Sequence, residues 1–313
     1  MFKWPNGTPS SRAPQSELAD FVELMAWRRG SISATAVTRL LNRLDDNHYP
    51  DGVPEEERAD TVVGRGYEET QRRAESCVNG YPFELGRQGN ILRLAYDANN
   101  GKHAIYQYLL LATRLRMDNN REHAGIDGTL LFEELTAEVA RNYFGDRAES
   151  MIFGTAAYRQ GFPEKVEDLC KRLNEGDGFR DRDQRPTQAQ DGKLDVVVWK
   201  PFTDNLPGKL IAFAQSKTGT RYEGELTKLH PSSFCDKWLQ SSPPVLPVRM
   251  FFMADARHPD RWYSTSRDAG ILFDRCRVID FCDDVSADVL DRITIWTTAA
   301  ATATELLYSG MPA

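Results

Sequence analysis

The stretch that most constrains the fold is a pair of apolar segments joined by a turn. LDVVVW (194–199) is followed by PFTDNLPG (201–208) and then by LIAFAQSK (210–217). Two prolines and a glycine interrupt any regular element in the middle segment. The flanking runs are short and rich in β-branched and aromatic residues, as strands are. The chain therefore turns back, and the second strand lies beside the first. Its end is unusual, because Leu210, Ile211, Ala212, Phe213 and Ala214 run straight into Gln215, Ser216 and Lys217. Side chains two apart on a strand share a face. Gln215 and Lys217 thus point the same way, and Asp195 opens the neighbouring strand. Three polar groups converge at one edge of an apolar sheet.

The remaining pattern is mixed. Ser16 can cap a helix through Arg29, with Leu18, Phe21, Val22, Met25 and Ala26 on one stripe and Gly30 as its stop. Helical patterns follow from Ser33 to about Leu44, over 66–79 and over 103–117. Residues 1–15 read as a loose leader and 46–60 as a loop. A mostly helical N-terminal region to about residue 120 is expected. Beyond it, Asp127 or Thr129 can start a helix that Gly145 stops. Further helices fit 163–174, 232–240 and 286–308. Strands fit 248–255 and RVIDF (277–281), and 175–193 reads as a long polar loop. The expected fold class is α/β, with a mixed central sheet flanked by helices in residues 121–313, after a helical region over 1–120.

Composition excludes several function classes. An apolar fraction of 41% and an aromatic fraction of 10% are enough for a real core. A net charge of −7 argues against gripping nucleic acid over the whole surface, but leaves room for a local basic groove. Cys77, Cys170, Cys235, Cys276 and Cys282 form no CxxC pair, so reduced thiols and a cytoplasmic location are expected. The first residues lack an apolar signal core, and no apolar run is long enough to span a bilayer. The five histidines show neither HxH nor HExxH spacing. No GxxxxGK[ST] stretch suggests NTP hydrolysis.

The polar edge has a chemical use. A carboxylate and an amide oxygen can contribute to the oxygen shell of Mg²⁺ or Mn²⁺ beside a phosphate. Lys217 would orient a water or neutralise developing charge. Gln215 is neutral, so a further carboxylate is needed. On the helix at 129–144, Leu131, Phe132, Leu135, Val139 and Tyr143 form the buried face, widened by Thr136 and Ala140. Glu133 lies on that widened edge, whereas Glu134 and Glu138 fall with Arg141 on the polar side. Glu133 is the candidate and Glu134 the reserve.

DGKLDVVVW followed by AQSKTG, with LFEELTAEVARNYFG upstream, resembles the PD-(D/E)xK nuclease superfamily, most closely its restriction-endonuclease-like Mrr branch. The resemblance covers roughly 127–282 and leaves 1–120 without a motif. The segment 146–190 is longer than that branch usually shows. The resemblance implies a restriction-endonuclease-like core, with Asp195, Gln215 and Lys217 as the core motif and Glu133 as the helix acid. It also implies metal-dependent hydrolysis of DNA that leaves a 5′-phosphate, commonly in prokaryotic defence against phage or foreign DNA. Such proteins act alone or with an activating partner such as a helicase or sensor, and a homo-oligomer is open.

Lys228 and Lys237, which follow the motif, are candidates for contacts to the DNA backbone. Arg72, Arg73, Arg180, Arg182 and Arg185 either touch phosphates or face acids and water. Plainer readings stand beside each assignment. Asp195 could simply start a strand, Gln215 and Lys217 could reach solvent at a strand end, and Glu133 could be a surface acid. Asp191 reads as a turn residue next to Gly192. For the chain as a whole, the alternative is a catalytically silent nuclease-fold protein that binds DNA or a partner subunit.

Overall fold

The structure is a computed structural model and describes residues 1–10, 12–42, 55–154, 161–181 and 193–306. Asp191, Arg182 and Arg185 lie outside the described residues, as do most of the expected loops at 46–60 and 175–193.

The N-terminal region is built from α1 (Gln15–Arg29), β1 (Ser31–Ser33), α2 (Ala34–Asn42), α3 (Glu55–Ser76), β2 (Phe83–Leu85), β3 (Ile91–Leu94) and α4 (Gly101–Arg114). The expected helices are present, although α3 begins inside the stretch read as a loop. A small antiparallel sheet, in the order β1-β3-β2, fills the segment that had no assigned pattern. The leader is not loose. Phe2 and Trp4 are buried, and the Trp4 N–H donates to the Arg114 carbonyl at 3.0 Å.

A short hairpin of β4 (Glu122–His123) and β5 (Ile126–Asp127) leads into α5 (Gly128–Phe144). Asp127 caps α5 by accepting from the N–H groups of Thr129 and Leu130, and Gly145 ends it at positive φ. Next come β6 (Glu149–Ile152), α6 (Phe162–Leu173), β7 (Val196–Lys200) and β8 (Leu210–Lys217). After these lie α7 (Pro231–Trp238), β9 (Val248–Met253), α8 (Trp262–Ala269), β10 (Ile271–Phe273), α9 (Arg275–Asp280) and α10 (Ala287–Ala303).

The main sheet has the order β10-β9-β8-β7-β6. β6, β7 and β8 form an antiparallel meander, while β9 and β10 run parallel to β8 and to each other. The hairpin register sets Val196 opposite Ala214 and Lys200 opposite Leu210, as the paired apolar runs require. The sheet is covered on both faces. Val196, Val198, Ala212 and Ala214 pack with Leu131, Phe132 and Leu135 of α5 and with the N-terminal helices. Val197, Trp199, Ile211 and Phe213 face Val166 and Leu169 of α6 and Phe234 and Trp238 of α7.

RVIDF was expected as a strand and is the helix α9. Asp274 accepts from the Arg277 N–H and caps it, and the neighbouring strand is Ile271–Phe273 instead. An apolar run of this length does not distinguish strand from helix, and the cap decides it. The edge strand β6 and the short α8 and β10 also went unread.

One core continues across residue 120. Within it lies a fully buried charge network. Arg73 Nη1 donates to Asp20 Oδ1 at 2.6 Å and to Glu23 Oε1 at 2.9 Å. Arg114 reaches Asp20 Oδ2, and Arg275 Nη1 reaches Asp20 Oδ1 at 3.0 Å. Arg73, a phosphate candidate by sequence, is thus spent in the interior. Burial alone would raise the Asp20 pKa, but Arg275, Arg114 and Arg73 overcome it and hold the carboxyl well below the usual range.

Candidate nuclease site and cationic cleft

The ends of β6, β7 and β8 meet around Asp195. Its carbonyl accepts from the N–H groups of Phe153 and Gly154, at 2.7 and 3.1 Å. Its carboxylate Oδ2 accepts from the Ser216 N–H at 2.7 Å and from the Ser216 hydroxyl at 3.4 Å. The side chain is buried and tied across the hairpin to the strand that carries Gln215 and Lys217.

Gln215 is fully buried, and neither its Oε1 nor its Nε2 has a hydrogen-bond partner among the described residues. A buried amide left unpaired costs about 1–3 kcal/mol. Strand parity sets Gln215 and Lys217 on the sheet face of Ile211 and Phe213, which α6 and α7 cover. Lys217 ends β8, half-exposed, and lines a cleft of about 810 Å³.

Glu133 comes from α5, on the opposite face of the sheet, and reaches the same cleft. Its carboxylate rests directly against Gly154, where an added Cβ would overlap it. Gly154 in turn is hydrogen-bonded to the Asp195 carbonyl, so one backbone position links the two acids. Glu134, the reserve, is engaged elsewhere: it holds Arg292 of α10 in a two-pronged ion pair. Glu138 accepts from Ser286 at the start of α10. Glu134 and Glu138 thus face α10 while Glu133 lines the cleft, but Tyr143, counted on the buried face of the helix, is exposed near its C-terminal end.

Two residues that went unread help to build the site. Lys165 of α6 is buried and donates to the carbonyls of Phe153 and Gly154, at 3.3 and 2.9 Å, which fixes the turn after β6. Glu225 lines the cleft. The hydrogen bond from Lys228 lowers its pKa against burial, with help from Lys193, Lys228 and Lys217. A buried lysine at a helix position gives no sequence signal, and Glu225 lies in a short 3₁₀ turn without periodicity.

Lys228 is thus paired with Glu225. Lys237 lies over the Trp238 ring, 4.6 Å from its centroid, on α7. Neither lines the cleft, whose described cations are Lys3, Arg116, Arg121, Lys193, Lys217 and Arg221, against the carboxylates Asp118, Glu133 and Glu225. The Lys3 ammonium donates to the carbonyls of Thr113 and Leu115 at the end of α4. Burial, and then Arg114, lower its pKa to about 8.

Of the four expected site residues, Glu133 and Lys217 line the cleft, whereas Asp195 and Gln215 are buried and are not among its described lining residues. Among the described residues, no three His, Cys, Asp or Glu side chains form a group able to hold a metal. No described helix is long and apolar enough to cross a membrane.

No family model matches the chain, and no curated protein matches it. Among solved structures it is similar to a structure of restriction endonuclease FokI bound to DNA, at 10% identity and a TM-score of 0.18. The match covers 94% of this chain and 48% of that one, so the chain spans about half the length of that protein. A likeness this weak carries no argument.

Proposed function

We propose that the chain is a metal-dependent endonuclease that hydrolyses DNA phosphodiester bonds. The observation that carries this reading is the Gln215 amide. It is buried without a hydrogen-bond partner among the described residues, on the strand that binds the Asp195 carboxylate and ends in Lys217 at a cationic cleft. An amide kept there at a cost in stability fits a ligand for a cation.

Asp195, Gln215 and Glu133 would hold Mg²⁺ or Mn²⁺. Bound there, the ion supplies positive charge against the scissile phosphate. Lys217 adds a second positive charge from the cleft side, where charge develops in the transition state. Ser216 keeps the Asp195 carboxylate in one orientation, and Gly154 leaves room for Glu133 beside it. A role in defence against phage or foreign DNA, with an activating partner, follows from the resemblance to the Mrr branch.

The test is plasmid cleavage by the purified chain with Mg²⁺ or Mn²⁺, beside Asp195→Ala and Lys217→Ala. Cleavage lost in both variants supports the reading, and cleavage unchanged in both sinks it. A second reading, a nuclease-fold protein that binds DNA or a partner without cutting, is favoured by the lack of a three-carboxylate group among the described residues. Binding with no cleavage under any metal would select it.

A further inference from the structure

We infer that the N-terminal region supplies a phosphate grip for the cleft: Arg116 on one side and Arg221 on the other hold the backbone of duplex DNA across the end of β8, beside Lys3, tied to the end of α4, and Arg121, ion-paired with Asp127 at 3.0 Å. This rests on the nuclease reading for its substrate class, but not for its geometry.

The described lining of the cleft carries six cations against three carboxylates in a chain of net charge −7, with Arg121 paired to Asp127 and Lys193 near Glu225. Such local fields bind polyanions whatever the net charge. Arg116 and Arg221 are exposed and form no ion pair among the described residues. Lys228, by contrast, is neutralised by Glu225. Burial and then Arg114 lower the Lys3 pKa to about 8, while Asp255 opposes them.

The two walls are held at a set spacing. The Gly219 N–H donates to the Ala112 carbonyl at 3.0 Å, joining the loop after β8 to the end of α4. The Lys3 ammonium clamps the same helix end through Thr113 and Leu115. Arg221 follows the first tie by two residues, and Arg116 follows the second by one. The cations are therefore presented by backbone ties and are not left on loose loops.

The lining also selects the form of nucleic acid. No aromatic ring lines the cleft among the described residues. Proteins that hold single strands rely on base stacking over aromatic side chains. A basic, ring-free cleft offers phosphate contacts only, and these position a duplex without reading its bases.

The test is fluorescence anisotropy of the full chain with a labelled duplex, and with one of its strands, in EDTA so that no cleavage enters. Arg116→Gln and Arg221→Gln are compared with wild type and with Arg172→Gln, which lies on the far α6 surface paired with Asp168. The duplex should bind more tightly than the single strand. Each cleft substitution should weaken it several-fold and lower the salt slope by about 0.9, while Arg172→Gln changes neither. Unchanged affinity in both cleft variants, tighter binding of the single strand, or no duplex binding at low salt would each overturn the inference. Thermal unfolding checks that both exposed variants stay folded. If the variants lose binding but wild type never cleaves, the grip stands and the catalytic reading falls. If wild type cleaves and the variants bind normally, the reverse holds.

Discussion

The Ser216 N–H donates to the Asp195 carboxylate at 2.7 Å, which locks the acid of one hairpin strand onto the strand that bears Gln215 and Lys217. Asp195→Ala removes both a candidate ligand and a buried acceptor, so its loss of activity would be mixed with a destabilisation of about 1–3 kcal/mol. Asp195→Asn keeps an acceptor oxygen for Ser216. It should leave the unfolding midpoint near wild type and still lower cleavage about 100-fold or more. Urea unfolding beside plasmid cleavage separates the two effects.

Gln215 gives a sharper test, because function and stability should move in opposite directions. Gln215→Leu fills similar space and removes two buried polar atoms that have no partner among the described residues. Stability should hold or rise by about 1 kcal/mol, while metal-stimulated cleavage disappears. A clear fall in stability would mean that the amide has a structural partner.

Gly154 separates Glu133 from an ordinary helix-surface acid. A Cβ at this position overlaps the Glu133 carboxylate. Gly154→Ala should cost about 1–3 kcal/mol through overpacking and displace the carboxylate, lowering cleavage. Combined with Glu133→Ala, which removes the obstacle, the alanine should cost far less stability. A double-mutant cycle by thermal unfolding measures this coupling.

The Asp20 network should make the protein acid-labile. The folded-state pKa of Asp20 is depressed, so its contribution is full above the ordinary aspartate value of about 4 and is lost as pH falls below it. Asp20→Ala leaves Arg73, Arg114 and Arg275 buried beside an absent partner and should cost about 3–5 kcal/mol near neutral pH. The variant should then lose less stability than wild type on acidification. Chemical denaturation from about pH 7 down to about pH 3 reads both effects.

The hairpin that carries the candidate residues was legible because it is local. Asp195, Gln215 and Lys217 lie within one hairpin, and strand alternation alone assigns their shared face. Glu133 could be told from Glu134 by the 3.6-residue repeat of α5, and the partners of Glu134 on α10 agree with that count. The metal itself, and the division of the chain near residue 120, remain proposals.

What local pattern could not convey was any role set by distant partners. Arg73 and Arg275 look like surface charges until Asp20, 255 residues before Arg275, accepts from both in the interior. Lys3 looks like part of a loose leader until the end of α4 accepts its ammonium. RVIDF reads as a strand by its apolar, β-branched residues, and the Asp274 cap makes it a helix. Alternation and helical periodicity record which face of an element is apolar, so the sequence by itself determined the hairpin and most of the α5 face, with Tyr143 the exception. The pairing of buried charges and the convergence of cations on a cleft depend on residues brought together only when helices and sheet pack. Those features were decided by the tertiary structure.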